Sequence, residues 1–177
     1  MYTADPIWLK PEDIVKKFKD FCDYNNITPR MLIKLFDSFL LRGRDNRKTK
    51  DIEILVESFE DLKKHIEYNF DKRISKEASK LGRPHYLTRK YTVFYDSSNN
   101  WYTPKEVLHT YSPFLKYEKS FSCEFIGSLA LIGLIIGKFN TSENCYHVQL
   151  SSFLELMKYQ EYSLQQYRIF PTDEAQA

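Results

Sequence analysis

The sequence predicts an α+β fold, formed as a single structural unit from two similar halves. Apolar residues at helical spacing alternate with short β-branched and aromatic segments bounded by turn residues. Two apolar segments each end in glycine, at Gly43 and Gly137, 94 residues apart, and a turn, a strand and a helix follow each. We therefore expect a pseudo-symmetric, duplicated fold in residues 1–177, with halves at 28–90 and 91–170 and a frayed tail at 171–177.

Caps and apolar spacing predict the elements of the first half. One helix starts at Pro11, and a second covers residues 28–41, where a threonine cap is followed by proline at the first helical position. Polar residues 44–50 are expected to form a turn. A β-branched strand at 52–56 and a helix at 59–70 then follow, the helix with apolar residues four apart.

The second half repeats these signals. Residues 86–95 have strand composition, and residues 101–103 are expected to return beside them as a hairpin. A helix then starts at Thr103-Pro104, and an apolar helix covers 120–137. A strand at 145–150 and a closing helix at 151–170 complete the prediction.

Composition excludes several classes of protein. Cys22, Cys123 and Cys145 are an odd number of cysteines without a CxxC pair, which argues against a disulfide framework or a zinc knuckle. The spacing of Cys145 and His147 is interpreted as structural, and no metal or other cofactor is expected. The longest apolar run, residues 125–137, is shorter than a membrane span, and no signal peptide is visible. These features predict an intracellular protein, cytoplasmic or organellar, the mitochondrion included.

Positive charge is concentrated in the middle third of the chain. Residues 42–90 carry fourteen Lys and Arg against nine Asp and Glu, although the net charge of the whole chain is only +2. The surplus lies in residues 42–50 and 72–90, where acids are scarce. Uncompensated cations of this kind are typical of a surface that contacts phosphates, whereas the simpler alternative is two solvated basic faces.

The two apolar segments resemble the LAGLIDADG homing-endonuclease family in its single-chain, two-motif form. Residues 129–137 (LALIGLIIG) are similar to the second family helix, and residues 36–43 (FDSFLLRG) to the first. The resemblance covers roughly residues 28–165. It implies antiparallel strands that form a saddle for nucleic acid, with the two apolar helices packed at the centre.

The resemblance also implies that cleavage is lost. In the family an acidic residue precedes the final glycine of each motif and holds a divalent metal, whereas Arg42 and Ile136 stand at those positions here. Neither side chain offers the oxygen ligand that a hard cation requires. We therefore expect no enzyme activity and no metal at these positions.

The predicted function is non-catalytic nucleic-acid binding. RNA is favoured, in a splicing factor, an RNA chaperone or a ribosome-associated protein, and a DNA-binding regulator is the other nucleic-acid option. Other proteins of a nucleoprotein complex are an additional class of candidate partner. No membrane partner is expected. The alternative is a protein-interaction or assembly module of a viral or mobile element. The candidate nucleic-acid contacts are Arg42, Arg44, Arg47, Lys48, Lys50, Arg83, His85, Arg89, Lys90 and Lys138.

Overall fold

A computed structural model describes residues 5–46, 48–74, 101–111 and 121–167. These residues form seven helices and two three-stranded antiparallel sheets, which confirms the α+β class. The chain divides into two compact units: Met1–Lys63 with Glu161–Ala177 is unit 1, and Lys64–Gln160 is unit 2. None of the helices described combines the length and the hydropathy that crossing a bilayer requires.

Unit 1 contains a strand, three helices and a hairpin, followed by the start of a long helix. The sheet order is β1-β3-β2, with Trp8 opposite Leu55 and Gly43 opposite Ile54. The elements are β1 (Trp8–Leu9), α1 (Pro11–Lys17), α2 (Lys19–Tyr24), α3 (Pro29–Asp37), β2 (Gly43–Asn46), β3 (Asp51–Leu55) and α4 (Val56–Ile74).

Unit 2 has the same order of strands in its sheet. Its order is β4-β6-β5, with Trp101 opposite Gln149 and Gly137 opposite Val148. The elements are β4 (Trp101–Tyr102), α5 (Pro104–Tyr111), α6 (Cys123–Ile132), β5 (Gly137–Asn140), β6 (Cys145–Gln149) and α7 (Leu150–Tyr167). Helix α4 continues from unit 1 into unit 2, and α7 from unit 2 into unit 1.

Most of the predicted helices are confirmed, and so is the second strand of each hairpin, β3 and β6. The strands β1, β2 and β5 were missed: residues 44–46 were predicted as turn, and Gly137 and Asn140 as the end of a helix and the start of a turn. Such short strands carry little sequence signal, and pairing with β3 or β6 decides their structure. The predicted strand at 86–95 and the tail at 171–177 lie outside the described residues.

Both apolar helices end earlier than predicted, so the boundaries at 41 and 137 are wrong. Helix α3 ends at Asp37 and α6 at Ile132. Left-handed backbone follows in each unit, at Phe39 with φ 62° and at Gly133 with φ 89°. This conformation terminates a helix by turning the chain away from its axis.

The sequence predicted that Gly43 and Gly137 end the two apolar helices. In the structure they instead begin strands β2 and β5. A Cβ atom at Gly43 would lie 2.8 Å from both the carbonyl oxygen of Glu53 and Cδ1 of Phe36. At Gly137 it would lie 2.8 Å from the Cβ of Ala130. Glycine is required at both positions because a strand passes very close to the preceding helix.

In each unit a serine of the helix after the hairpin accepts a hydrogen bond from the backbone N–H of the residue just before the first hairpin strand. The backbone N–H of Arg42 donates to Ser58 Oγ at 2.8 Å, and that of Ile136 donates to Ser152 Oγ at 2.7 Å. Both serines are fully buried, and each lies 94 residues from its counterpart. Arg42 and Ile136 thus lie outside the helices, at equivalent positions of the two units.

Loss of either serine hydroxyl should destabilise the protein by a similar amount. We expect Ser58→Ala and Ser152→Ala each to cost about 1–3 kcal/mol, because each leaves a backbone N–H without its acceptor. Urea unfolding followed by circular dichroism measures this cost. Ser128→Ala is the matched control, since its hydroxyl donates to Glu124 O on the exposed side of α6. A control loss as large as the others would contradict the prediction.

Each unit has its own aromatic core contacts. In unit 1 the ring of Phe59 is fully buried and lies 4.8 Å from that of Phe18 and 6.1 Å from that of Phe21, between centroids. In unit 2 the rings of His65 and Tyr159 lie 5.1 Å apart. Within unit 1 these contacts pack the start of α4 against α2, and within unit 2 they pack α4 against α7.

Candidate nucleic-acid interface

Helices α2 and α3 of unit 1 are consecutive helices joined by a short turn. The four residues 25–28 connect them, and Asn26 adopts positive φ of 61°, which asparagine tolerates better than most residues. Thr28 Oγ1 accepts the N–H of Met31 at 3.2 Å and so caps α3. A turn of similar length joins the two helices of helix–turn–helix DNA-binding proteins, whose second helix lies in the major groove.

Helix α3 is amphipathic, and its outer face is basic. Met31, Leu32 and Leu35 are buried in unit 1, whereas Arg30 and Lys34, one helical turn apart, are exposed. In the part of the chain that the structure describes, neither of these two cations forms an ion pair. The face therefore presents two cations that are not ion-paired, with the exposed Asp37 at the C-terminal end of the helix. The sequence prediction missed both residues, although their spacing against the apolar residues of the predicted helix could have found them.

The hairpin of β2 and β3 carries further lysines at its tip. Asn46 Oδ1 accepts the N–H groups of Lys48 at 3.0 Å and Thr49 at 3.4 Å, which closes the turn. Lys48 and Lys50 are exposed, and Lys50 adopts positive φ of 58°. The structure thus places two of the predicted contacts at the hairpin tip, whereas Arg47 lies outside the described residues.

Arg44, another predicted contact, is held within the sheet of unit 1. Its Nε donates to Glu53 Oε1 at 3.0 Å, and its guanidinium carbon lies 4.4 Å from the ring centroid of Trp8. Only 22% of the Arg44 side chain and 16% of the Glu53 side chain are exposed. Because its charge is already compensated, Arg44 has less to offer a phosphate than Lys48 or Lys50. Arg42 is half-buried beside it.

The remaining predicted contacts are dispersed. Arg83, His85, Arg89 and Lys90 lie outside the described residues. Lys138 is exposed on β5 of unit 2, where its Nζ lies 4.6 Å from the ring centroid of Trp101. This contact is the counterpart of Arg44 on Trp8, since the two cations and the two tryptophans lie 94 and 93 residues apart.

The equivalent face of unit 2 has a different chemistry. Helix α6 contains no Lys or Arg, and its exposed residues are Cys123, Glu124 and Leu131. A groove of about 410 Å³ runs beside its N-terminal half, between the start of α5 and the hairpin of β5 and β6. Phe139, 50% exposed, is among the residues that line it. The charged residues that line the groove, Lys105 and Glu124, balance each other, so this surface has no surplus of cations for phosphates.

Three potential metal ligands meet at the hairpin of unit 2. The ligand atoms of Glu143, Cys145 and His147 lie within 4.8 Å of one another. Partial burial and the Glu143 carboxylate raise the pKa of the Cys145 thiol. Desolvation raises the pKa of the buried Cys22 thiol in unit 1 to about 11, and Cys22 does not belong to this group of ligands.

Comparison with protein-family models, with curated proteins and with solved structures finds no match for this chain. The LAGLIDADG resemblance therefore stays a prediction that rests on the motif residues alone. The class that the fold defines is an α+β protein with a three-stranded antiparallel sheet in each unit. Function has to be argued from the surfaces of the two units.

Proposed function

We propose that the protein binds duplex DNA without cutting it, and that unit 1 makes the contacts. The observation that carries the proposal is the outer face of α3, where Arg30 and Lys34 are exposed on the second of two helices joined by a four-residue turn, as in a helix–turn–helix. In DNA-binding proteins with this motif the second helix enters the major groove and its N-terminal residues reach base edges. Arg30 is at the N-terminal end of α3, where such a contact is made.

The groove dimensions favour DNA over RNA. The major groove of B-DNA is about 12 Å wide and admits an α-helix, whereas the deep, narrow major groove of A-form RNA does not. The sequence favoured RNA, because a saddle of strands can bind a structured RNA by recognising its shape. A helix with two exposed cations on its outer face supports the opposite choice.

The hairpin of unit 1 supplies the phosphate contacts in this proposal. Lys48 and Lys50 are exposed at its tip, and a flexible ammonium group can follow a phosphate backbone without reading sequence. Together with Arg30 and Lys34, they make four cations available for counterion release. Each contributes to the affinity in a salt-dependent way.

We further propose that the two units arose by duplication and that only unit 1 keeps the basic face. Support comes from the shared sheet order and the serine bonds at a spacing of 94 residues. A LAGLIDADG-like origin would agree with the apolar helix, hairpin and helix in each unit. The absence of cleavage is proposed because Arg42 and Ile136 supply no oxygen ligand.

Binding of fluorescent duplexes tests the proposal. We expect a DNA duplex of about 30 base pairs to bind at low salt, with log K falling against log salt at a slope of about −3 to −4 for four contacts. The same sequence as duplex RNA should bind more weakly, and the DNA should stay intact in Mg²⁺. Absence of DNA binding at low salt would contradict the proposal and favour the assembly-module alternative, for which the apolar groove of unit 2 is the surface to test. Tighter binding of RNA would contradict the choice of DNA.

A further inference from the structure

We propose that Glu143, Cys145 and His147 form a binding site for Zn²⁺ at the hairpin of unit 2. All three belong to one turn of the chain and the strand that leaves it: Glu143 precedes β6, Cys145 begins β6, and His147 follows two residues later. Alternate residues of a strand share a face, so the thiol and the imidazole point to the same side of the hairpin. The inference concerns a different unit and a different ligand from the proposed DNA binding.

The distances between the ligand atoms suit a small cation. Glu143 Oε2 lies 2.7 Å from His147 Nε2 and 3.9 Å from Cys145 Sγ, and all three ligand atoms lie within 4.8 Å of one another. Around tetrahedral Zn²⁺ such atoms are about 3.3–3.8 Å apart. Shifts of about 1 Å, well within side-chain rotation, would bring all three onto one ion.

The donor set points to zinc rather than to magnesium or calcium. Thiolate and imidazole are borderline-to-soft ligands, which hard cations do not select. Three protein ligands leave a fourth position for water, and the exposure of the Glu143 side chain, 54%, leaves the site open to entry from solvent.

The equivalent hairpin of unit 1 shows what is special in unit 2. At the positions equivalent to Cys145 and His147, unit 1 has Asp51 and Glu53. Asp51 pairs with Lys10 at 3.2 Å, and Glu53 with Arg44 at 3.0 Å. The face that carries two ion-paired acids in unit 1 thus carries a cysteine and a histidine in unit 2. Both of these can bind a metal.

Binding would exchange a proton for the metal. The thiolate is the ligand, so Zn²⁺ replaces the proton of the Cys145 thiol, and that proton goes to buffer. His147 Nε2 donates to Glu143 Oε2, so its proton must move to Nδ1 or to buffer before Nε2 can coordinate. No electron is transferred. One to two protons should therefore be released for each ion bound, depending on where the Nε2 proton goes.

Titration of the full-length, chelator-treated protein with Co²⁺ and then Zn²⁺ tests the site. We expect about one Co²⁺ per chain, a thiolate-to-cobalt charge-transfer band in the near ultraviolet, visible absorption of tetrahedral intensity, and displacement of Co²⁺ by Zn²⁺. Cys145→Ser should abolish the charge-transfer band. His147→Gln and Glu143→Gln should each weaken binding by at least about tenfold while the band persists at saturation.

Cys123→Ser is the matched control, because Cys123 is an exposed cysteine of the same unit. The charge-transfer band of this variant with Co²⁺ should be unchanged. Circular dichroism checks the fold of each variant, and the two glutamine variants keep the test decisive where the serine variant does not fold. The proposal is overturned by the absence of saturable binding, or by a band that survives in Cys145→Ser. No nucleic acid is present, so failure here is separate from failure of DNA binding.

Discussion

Replacement of both Arg30 and Lys34 by alanine is expected to weaken binding of duplex DNA by at least about tenfold and to lower the magnitude of the salt slope by about two units. Both side chains are exposed on α3 and neither is ion-paired within the described residues, so each is available to a phosphate or a base. Each lost contact removes one released counterion. Fluorescence anisotropy at several KCl concentrations measures both quantities.

The matched control is Lys64→Ala with Lys105→Ala, two exposed lysines of unit 2. It removes the same net charge from outside the proposed surface, so it should leave affinity and slope nearly unchanged. Exposed substitutions of this kind change stability little, and thermal unfolding checks that both variants are folded. Equal losses in the two variants would mean diffuse attraction, and the α3 face would then have no special role.

Phe59→Ala is expected to lower the free energy of unfolding by about 3–5 kcal/mol, the largest stability effect that we predict. The ring is fully buried at the start of α4 and lies against the rings of Phe18 and Phe21. Truncation removes these contacts and leaves a cavity between three helices that cannot collapse completely. Urea unfolding followed by circular dichroism measures the change.

Ile7→Ala is its control, because the Ile7 side chain is 61% exposed and its backbone bond to Val56 is retained. This change should cost less than about 0.5 kcal/mol. A loss below about 1 kcal/mol for Phe59→Ala would show that the aromatic cluster is not a core of unit 1.

Helix starts could be predicted because their chemistry is local. Thr28 before Pro29 and Thr103 before Pro104 both begin helices as expected. Thr28 caps α3 through its own hydroxyl, and Thr103 exchanges two hydrogen bonds with Glu106, at 3.1 and 3.2 Å. Partners three residues away are visible in a sequence.

Helix ends could not be predicted in the same way. The apolar residues Phe39, Leu40 and Leu41 continue the helical pattern of α3, yet the helix stops at Asp37. Leu40 is fully buried and Leu41 nearly so. Burial of these two leucines beside the sheet requires a turn that a continuous helix would not allow, so tertiary packing overrides the local pattern.

The candidate interface was predicted in part. The basic run 42–50 was found, but composition does not tell which of its cations are already neutralised. Arg44 is bound by Glu53 and Trp8, residues that only the sheet brings beside it. The Cys145 and His147 pair was noticed and interpreted as structural, since the approach of Glu143 depends on the hairpin turn.

The sequence by itself determined the α+β class, the starts of the helices and the two similar segments. All of these depend on residues close together in the chain, where propensity, capping and periodicity act. Tertiary structure alone decided that Gly43 and Gly137 admit a strand against a helix, that Arg44 is held in its sheet, and that Arg30 and Lys34 share an exposed face. Such properties depend on which distant groups fill the space around a side chain, and that space exists only in the folded protein.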